Sequence, residues 1–264
     1  MKKFNFEEFL IFIVLLGFST LFYFLLFTGK INSFISPKMI KYIIFALVVF
    51  TILTFYQGNK IFIPKTVKPI NKSFTILLLT IFIGFAAAEK GVNLSISNNK
   101  SVNLPSYVKG DKISSSPLEK NNKPTEDKLK ETLFLTDGNN IVIEDNNFYK
   151  AVNDIGMNIE KYRGKKVILS GFVFKREDFK PDQFVVGRMS MACCAADAQV
   201  MGLMSKWAET PNLEKDTWVK VEGIIGSTEQ KNVESEGTLI LPLVEIVNIE
   251  KIETPENIYV YPQN

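Results

Sequence analysis

The 264 residues include no histidine, only three arginines, and only two cysteines. Without histidine, Cys/His zinc patterns, His-based catalytic triads and His pH switches are all excluded. The two cysteines are adjacent, Cys193 and Cys194, so they cannot build a disulfide framework across the chain. No nucleophile has a base nearby in sequence, so the chain is not expected to be an enzyme. Each half is short of charge of one sign. Residues 1–130 hold 17 lysines and 7 acidic residues, a net of +10, whereas residues 131–264 hold 14 basic and 21 acidic residues, a net of −7. Phosphate contacts need positive charge, so the acidic half is a poor polyanion binder and nucleic acid is not an expected partner. Abundant Lys, Asn and Ile fit an A+T-rich bacterial genome.

Long apolar runs fill the first ninety residues. Phe9–Thr28 is twenty residues without a charge, enough to cross a hydrocarbon core of ~30 Å at ~1.5 Å per residue. A second span is expected over 39–57, with Lys41 snorkelling to the interface. A third, over 74–88, is shorter than the usual span. The first run is longer than a signal-peptide core and has no small-residue cleavage site. Residues 1–90 are therefore expected to form a transmembrane domain of about three helices with the lipid bilayer as partner. Lysines in short loops set the orientation. Lys2, Lys3, Lys60, Lys65, Lys68 and Lys72 share one side; Lys30, Lys38, Lys41, Lys90 and Lys100 share the other. That balance predicts a multi-pass protein of the cell membrane with a cytoplasmic N-terminus and an extracytoplasmic C-terminal domain.

Residues 91–130 are rich in Asn, Ser, Lys and Pro and poor in large apolar side chains. Such a stretch buries too little surface to offset its ordering entropy and is expected to be a flexible linker. Residues 131–264 read as a mainly-β domain with a short helix. Ile141–Ile143 predicts a strand. Asn146 or Asn147 then caps a helix carrying Phe148, Val152, Ile155 and Ile159 at helical spacing, and Gly164 ends it. Further strands are expected over Lys166–Arg176, with a bend at Gly171, and over Gln183–Met191, Gln199–Lys206, Trp218–Ile225 and Leu239–Ile252, with an edge at Ile258–Tyr261. Five such strands suggest a small OB-like barrel, with a β-sandwich as the alternative.

The unusual stretch is Arg188-Met-Ser-Met-Ala-Cys-Cys-Ala-Ala-Asp-Ala-Gln199, bracketed by Met189, Met191, Met201 and Met204. Three readings are open. In the first, small residues fill a tight turn, with Met padding the core and Arg188 pairing with Asp197. Cys193, Cys194 and Asp197, supported by Arg188, could hold a soft metal ion or a thiophilic ligand, since thiolates select Cu(I), Zn and similar ions. Or the adjacent thiols could form a vicinal disulfide in an oxidising compartment.

At these residues the sequence resembles a known family. RMSMACCAADAQVMGL, preceded by NNFYKAVNDIGMNIEKYRGKKVILSGFVF and followed by WVKVEGII and a closing IYVYP, is similar to the YcgQ-like family of permease subunits, a family of unknown biochemical role. The CC-x-A-D element, here Cys193, Cys194, Ala196 and Asp197, is its most specific part. The N-terminal block ending in AAAEKG fits as well, and only the linker lies outside the likeness. The resemblance implies a smaller subunit that accompanies a separate multi-spanning permease, of a class that includes organoarsenical exporters. The expected function is thus a non-enzymatic accessory subunit whose external domain binds or gates a solute, such as a metal ion or metalloid. The alternatives are a membrane-tethered thiol redox or metal-sensing protein and a tethered OB-like ligand-binding module.

Overall fold

The apolar N-terminal block folds into three helices: α1 (Phe6–Phe27), α2 (Ile40–Lys60) and α3 (Ser73–Lys90). The computed structural model describes residues 6–61, 73–90, 102–105, 107–108, 135–136, 140–231, 238–255 and 257–262. It divides into two compact units, Met1–Asn93 with Cys193–Asp197, and Leu94–Ala192 with Ala198–Asn264.

In the first unit, α1 and the helical stretch Pro37–Lys60 are long and apolar enough to cross a membrane, while the apolar part of α3, Ile76–Ala88, is shorter. The helices carry apolar side chains on most of their faces, without one distinct apolar stripe. Small residues set the α1–α3 crossing. A Cβ on Gly17 would stand 2.9 Å from Ile81 Cδ1, and one on Gly84 would stand 2.8 Å from Leu21 Cδ2. Each glycine accepts a branched side chain of the other helix, a close approach that a Cβ would block. Polar and aromatic contacts join α1 to α2: the Ser19 and Thr51 hydroxyls are 3.0 Å apart, Phe50 stacks on Phe18, and the Gln57 amide donates to the Glu8 carboxylate. Two 3-10 turns, Lys30–Ser33 and Pro37–Met39, connect α1 to α2.

The second unit is a mixed β-sheet domain with a short helical segment. In chain order its elements are β1 (Val102–Asn103), β2 (Tyr107–Val108), β3 (Leu135–Thr136), β4 (Asn140–Ile143), α4 (Phe148–Met157), α5 (Ile159–Tyr162), β5 (Lys166–Phe174), β6 (Gln183–Ser190), β7 (Gln199–Lys206), β8 (Trp218–Lys231), β9 (Thr238–Lys251) and β10 (Tyr259–Val260). Strand pairing runs β5–β6–β7–β9–β8 and returns to β5, so these five strands form a closed circuit. β7 and β9 are parallel within it. β4 lies parallel to β5, and β10 lies parallel to β6. The core gathers Ile141, Phe148, Val152, Ile155, Val167, Leu169, Val186, Leu203, Val221 and Val244 from the strands and α4.

Gly171 marks the point where β5 changes neighbour. Upstream, β5 pairs with β8 from Lys166 to Phe172; downstream, it pairs with β6 from Phe172 to Phe174. A Cβ there would stand 2.5 Å from the Gly187 carbonyl oxygen, so the backbones can meet only without one. Gly164 adopts φ +77 after α5, the left-handed conformation that closes a helix. Asn147 precedes α4, but its side chain turns back: Oδ1 accepts the Glu144 N–H at 2.9 Å and no side-chain cap bond is made.

Two sequence expectations need correction. Part of the segment 91–130, read as a free linker, is strand: β1 pairs with β7 and β2 pairs with β9. Between them, Pro105 packs so closely on α4 that a Cβ on Gly156 would fall 2.2 Å from the proline Cβ. The rest of that segment lies outside the described residues. The strand expected at Trp218–Ile225 continues to Lys231 because it pairs with β9 along that strand's whole length, from Lys251 back to Thr238, making a long hairpin with a register shift at Glu222/Gly223.

Candidate functional site

The loop between β6 and β7 carries the cysteine pair. The two strands stay paired up to Ser190 and Gln199, and Met191 and Ala198, both buried, anchor the loop ends. Cys193 is exposed and Cys194 half-buried, and both thiols are free. Asp197 shapes the loop. Its carboxylate accepts the Cys193 N–H at 2.8 Å and the Cys194 N–H at 3.4 Å, and its own N–H donates to the Cys194 carbonyl at 3.1 Å. Capture of neighbouring backbone N–H groups is the usual short-range behaviour of Asp in turns.

Within the first compact unit this loop pairs with the segment that joins α1 to α2. Cys194 stands opposite Ile35 in an isolated antiparallel bridge. The Ser36 N–H donates to the Cys193 carbonyl at 3.0 Å, and the Ala195 N–H donates to the Phe34 carbonyl at 2.8 Å. Ser36 is fully buried there.

The two sulfurs are 3.7 Å apart. Two thiolates on one tetrahedral zinc, each at ~2.3 Å, would stand ~3.8 Å apart, so the pair has the spacing of a bidentate soft-ion ligand. Among the described residues, no cluster of three or more His, Cys, Asp or Glu is placed to hold a metal ion. Further donors for a full shell would have to come from solvent, from a shift of Asp197, or from another molecule. The Cys193 thiol is pushed up to about 11, chiefly by its hydrogen bond to the Asp197 carboxylate, with a further hydrogen bond to the Cys194 sulfur. A soft ion binds the thiolate, so uptake here would release protons.

The structure brings Cys193, Cys194 and Asp197 together but gives Arg188 other partners. Its side chain, 3% exposed, forms an ion pair with Asp145. Nε donates to the Ser170 carbonyl at 3.2 Å and Nη1 to the Asn257 carbonyl at 3.3 Å. The guanidinium packs over Trp218, 4.8 Å from the ring centroid. Burial pulls Arg188 down to about 10, which leaves it charged at neutral pH. The expected Arg188–Asp197 pairing is therefore replaced by Arg188–Asp145. Met189, Met191, Met201 and Met204 are all buried, as core padding would be. Sequence reasoning missed Asp145 and the Phe34–Ser36 segment. Asp145 sits in the turn before α4, where an acidic residue reads as ordinary helix-start chemistry, and nothing in Phe34-Ile35-Ser36 signals a partner 157 residues or more downstream.

Comparison with known proteins adds the following. Residues 118–262 match the DUF1980 C-terminal domain and residues 10–103 the DUF1980 N-terminal domain. The UPF0703 protein YcgQ of Bacillus subtilis (strain 168) is 22% identical over 283 aligned positions, covering 94% of this chain and 98% of the relative. Among solved structures, a mitochondrial single-stranded DNA-binding protein from S. cerevisiae covers 35% of this chain and 98% of its own length at 10% identity. Its TM-score of 0.23 is too low to carry an inference about fold or ligand.

Proposed function

We propose, from the premise that the chain belongs to the DUF1980 family, that it is a membrane-anchored binding subunit and not a catalyst. In this reading Cys193 and Cys194, positioned by Asp197, capture a soft metal ion or trivalent metalloid and pass that event to the helices. The observation that carries the reading is the backbone pairing of Cys193–Ala195 with Phe34–Ser36. A ligand held by the two thiols is bonded to the same residues whose peptide groups hold the segment between α1 and α2. The resemblance to permease subunits supplies the partner class: a separate multi-spanning permease that the helices would engage within the bilayer. The closed strand circuit supports an OB-like barrel as the external scaffold.

The pairing also favours a multi-pass arrangement. If α1 and α2 both cross, the segment between them lies on one side of the membrane. The cysteine loop, downstream of α3, reaches that side only if α3 crosses too. Together with the lysine balance, this supports a cytoplasmic N-terminus and a cysteine loop outside.

The test is a titration of the full-length, reduced protein in detergent with Zn²⁺, Cu⁺ and trivalent arsenic, with thermal melting followed in parallel. A ligand that binds only the folded state stabilises it by about RT ln(1 + [L]/Kd). At least one ion should raise the melting temperature of the parent and leave Cys193→Ser and Cys194→Ser unshifted. Equal shifts in parent and both variants, or none in any, would overturn the site.

A further inference from the structure

We propose that the Cys193–Cys194 pair is also a reversible redox switch: exchange with an external disulfide joins the two sulfurs, removes the soft-ligand site and weakens the pairing with Phe34–Ser36. Only the second of these consequences rests on the proposed function; the switch and its effect on the pairing do not.

Three observations carry it. The sulfurs are already 3.7 Å apart, so reaching the ~2.05 Å of a disulfide takes less than ~2 Å of movement. Cys193 is exposed and open to an attacking or attacked reagent. Finally, both ends of the peptide unit that a vicinal disulfide would strain are in use. Its carbonyl, on Cys193, accepts the Ser36 N–H, and its N–H, on Cys194, is held by Asp197. Adjacent Cα atoms are ~3.8 Å apart, below the ~4.4–6.8 Å that disulfides usually span, so the ring closes under strain that this peptide must absorb. A strained disulfide is readily reduced again, the behaviour of a regulatory pair and not of a structural one.

The chemistry is ordinary thiol–disulfide exchange with a small-molecule or protein disulfide. The Cys193 thiolate attacks one sulfur of that disulfide. The S–S bond breaks, its electron pair leaves on the departing thiolate, and a mixed disulfide remains on Cys193. The Cys194 thiolate then attacks the Cys193 sulfur and expels the second thiolate. Two cysteine thiols are oxidised, one disulfide is reduced to two thiols, and the two cysteine protons end on those thiols.

The full-length protein in membrane vesicles would be equilibrated in glutathione buffers running from reduced to oxidised, alkylated, and its Cys193–Cys194 peptide weighed. The peptide should pass from doubly alkylated to two hydrogens lighter and unalkylated, and dithiothreitol should restore it. Cys194→Ser at the same ratios should stop at the glutathione adduct on Cys193. Hydrogen exchange at the Ser36 amide should rise about fivefold on oxidation, the factor a typical net hydrogen bond is worth. A parent that stays reduced, stops at the adduct or forms only intermolecular dimers overturns the switch. Unchanged Ser36 exchange in fully oxidised protein overturns the coupling. Failure of the reduced protein to bind any soft ion removes the ligand reading alone and leaves the oxidation result standing.

Discussion

The Asp197 carboxylate holds the Cys193 N–H at 2.8 Å and also accepts a hydrogen bond from the same residue's thiol. One negative group thus organises the loop and opposes ionisation of the sulfur within it. A thiolate beside a carboxylate is a like-charge pair, and a hydrogen bond that needs the thiol proton is lost when the proton leaves; both favour the neutral form. Iodoacetamide reacts with the thiolate, so alkylation of Cys193 in the parent should reach half its maximal rate near pH 11. Asp197→Asn removes the charge and retains an acceptor for the backbone, and its profile should move down toward the ordinary value of 9.0. The remaining hydrogen bond that the Cys193 thiol donates to Cys194 keeps it from returning fully. Peptide-resolved mass spectrometry across pH reads this directly, and superimposable profiles would show that Asp197 does not govern the thiol.

A second prediction concerns Arg188 and Asp145. Asp145 is 67% exposed and the Arg188 side chain 3%, so the pair is neither a surface bridge nor a fully buried one. Asp145→Ala leaves a buried guanidinium short of its charged acceptor, a loss worth about 1–3 kcal/mol. The comparison is Asp178→Ala, which breaks a pair with Arg176 whose two side chains are each 47% exposed. Such surface pairs contribute at most about 1 kcal/mol. Thermal melting of the full-length protein should rank Asp145→Ala clearly below Asp178→Ala. Equal melting temperatures would mean that the Ser170 and Asn257 carbonyls and the Trp218 ring hold Arg188 without Asp145.

Much of this fold was legible because its elements follow local pattern. Val219, Val221 and Ile225 alternate against Lys220 and Glu222, Phe148, Val152 and Ile155 recur at helical spacing, and Gly164 and Gly171 fall where a helix stops and a strand changes neighbour. β1 and β2 were not legible, because each is two residues long within an Asn/Ser/Lys-rich stretch and owes its form to the partner strand alone. At the site, the type coincidence of Cys193, Cys194 and Asp197 was visible in sequence. The partner of Arg188 was not: Asp197 stood nearby in sequence, whereas Asp145 lies two helices and a strand upstream and spacing gives no reason to choose it. Chain proximity lost because the β6–β7 hairpin turns Asp197 back onto its own loop.

The last prediction follows from the pairing of Cys194 with Ile35. The segment from Thr28 to Met39 sits between two helices long and apolar enough to cross a membrane. If both cross, the cysteine loop, which comes after α3 in the chain and pairs with that segment, reaches the same side only when α3 crosses as well. α3 has 18 residues, about 27 Å of helix at ~1.5 Å per residue, close to the ~30 Å hydrocarbon core. A helix slightly too short is accommodated by local thinning of the bilayer or by snorkelling of flanking side chains, and Lys72 and Lys90 flank this one. A reporter active only in the cytoplasm should therefore be silent when fused after Asn264 and active when inserted beside Lys65. Activity at both positions would mean that α3 lies on the cytoplasmic surface without crossing. The Cys194–Ile35 bridge could not then form within one chain that also spans the membrane with α1 and α2, and the proposed route from thiol to helix would fail with it.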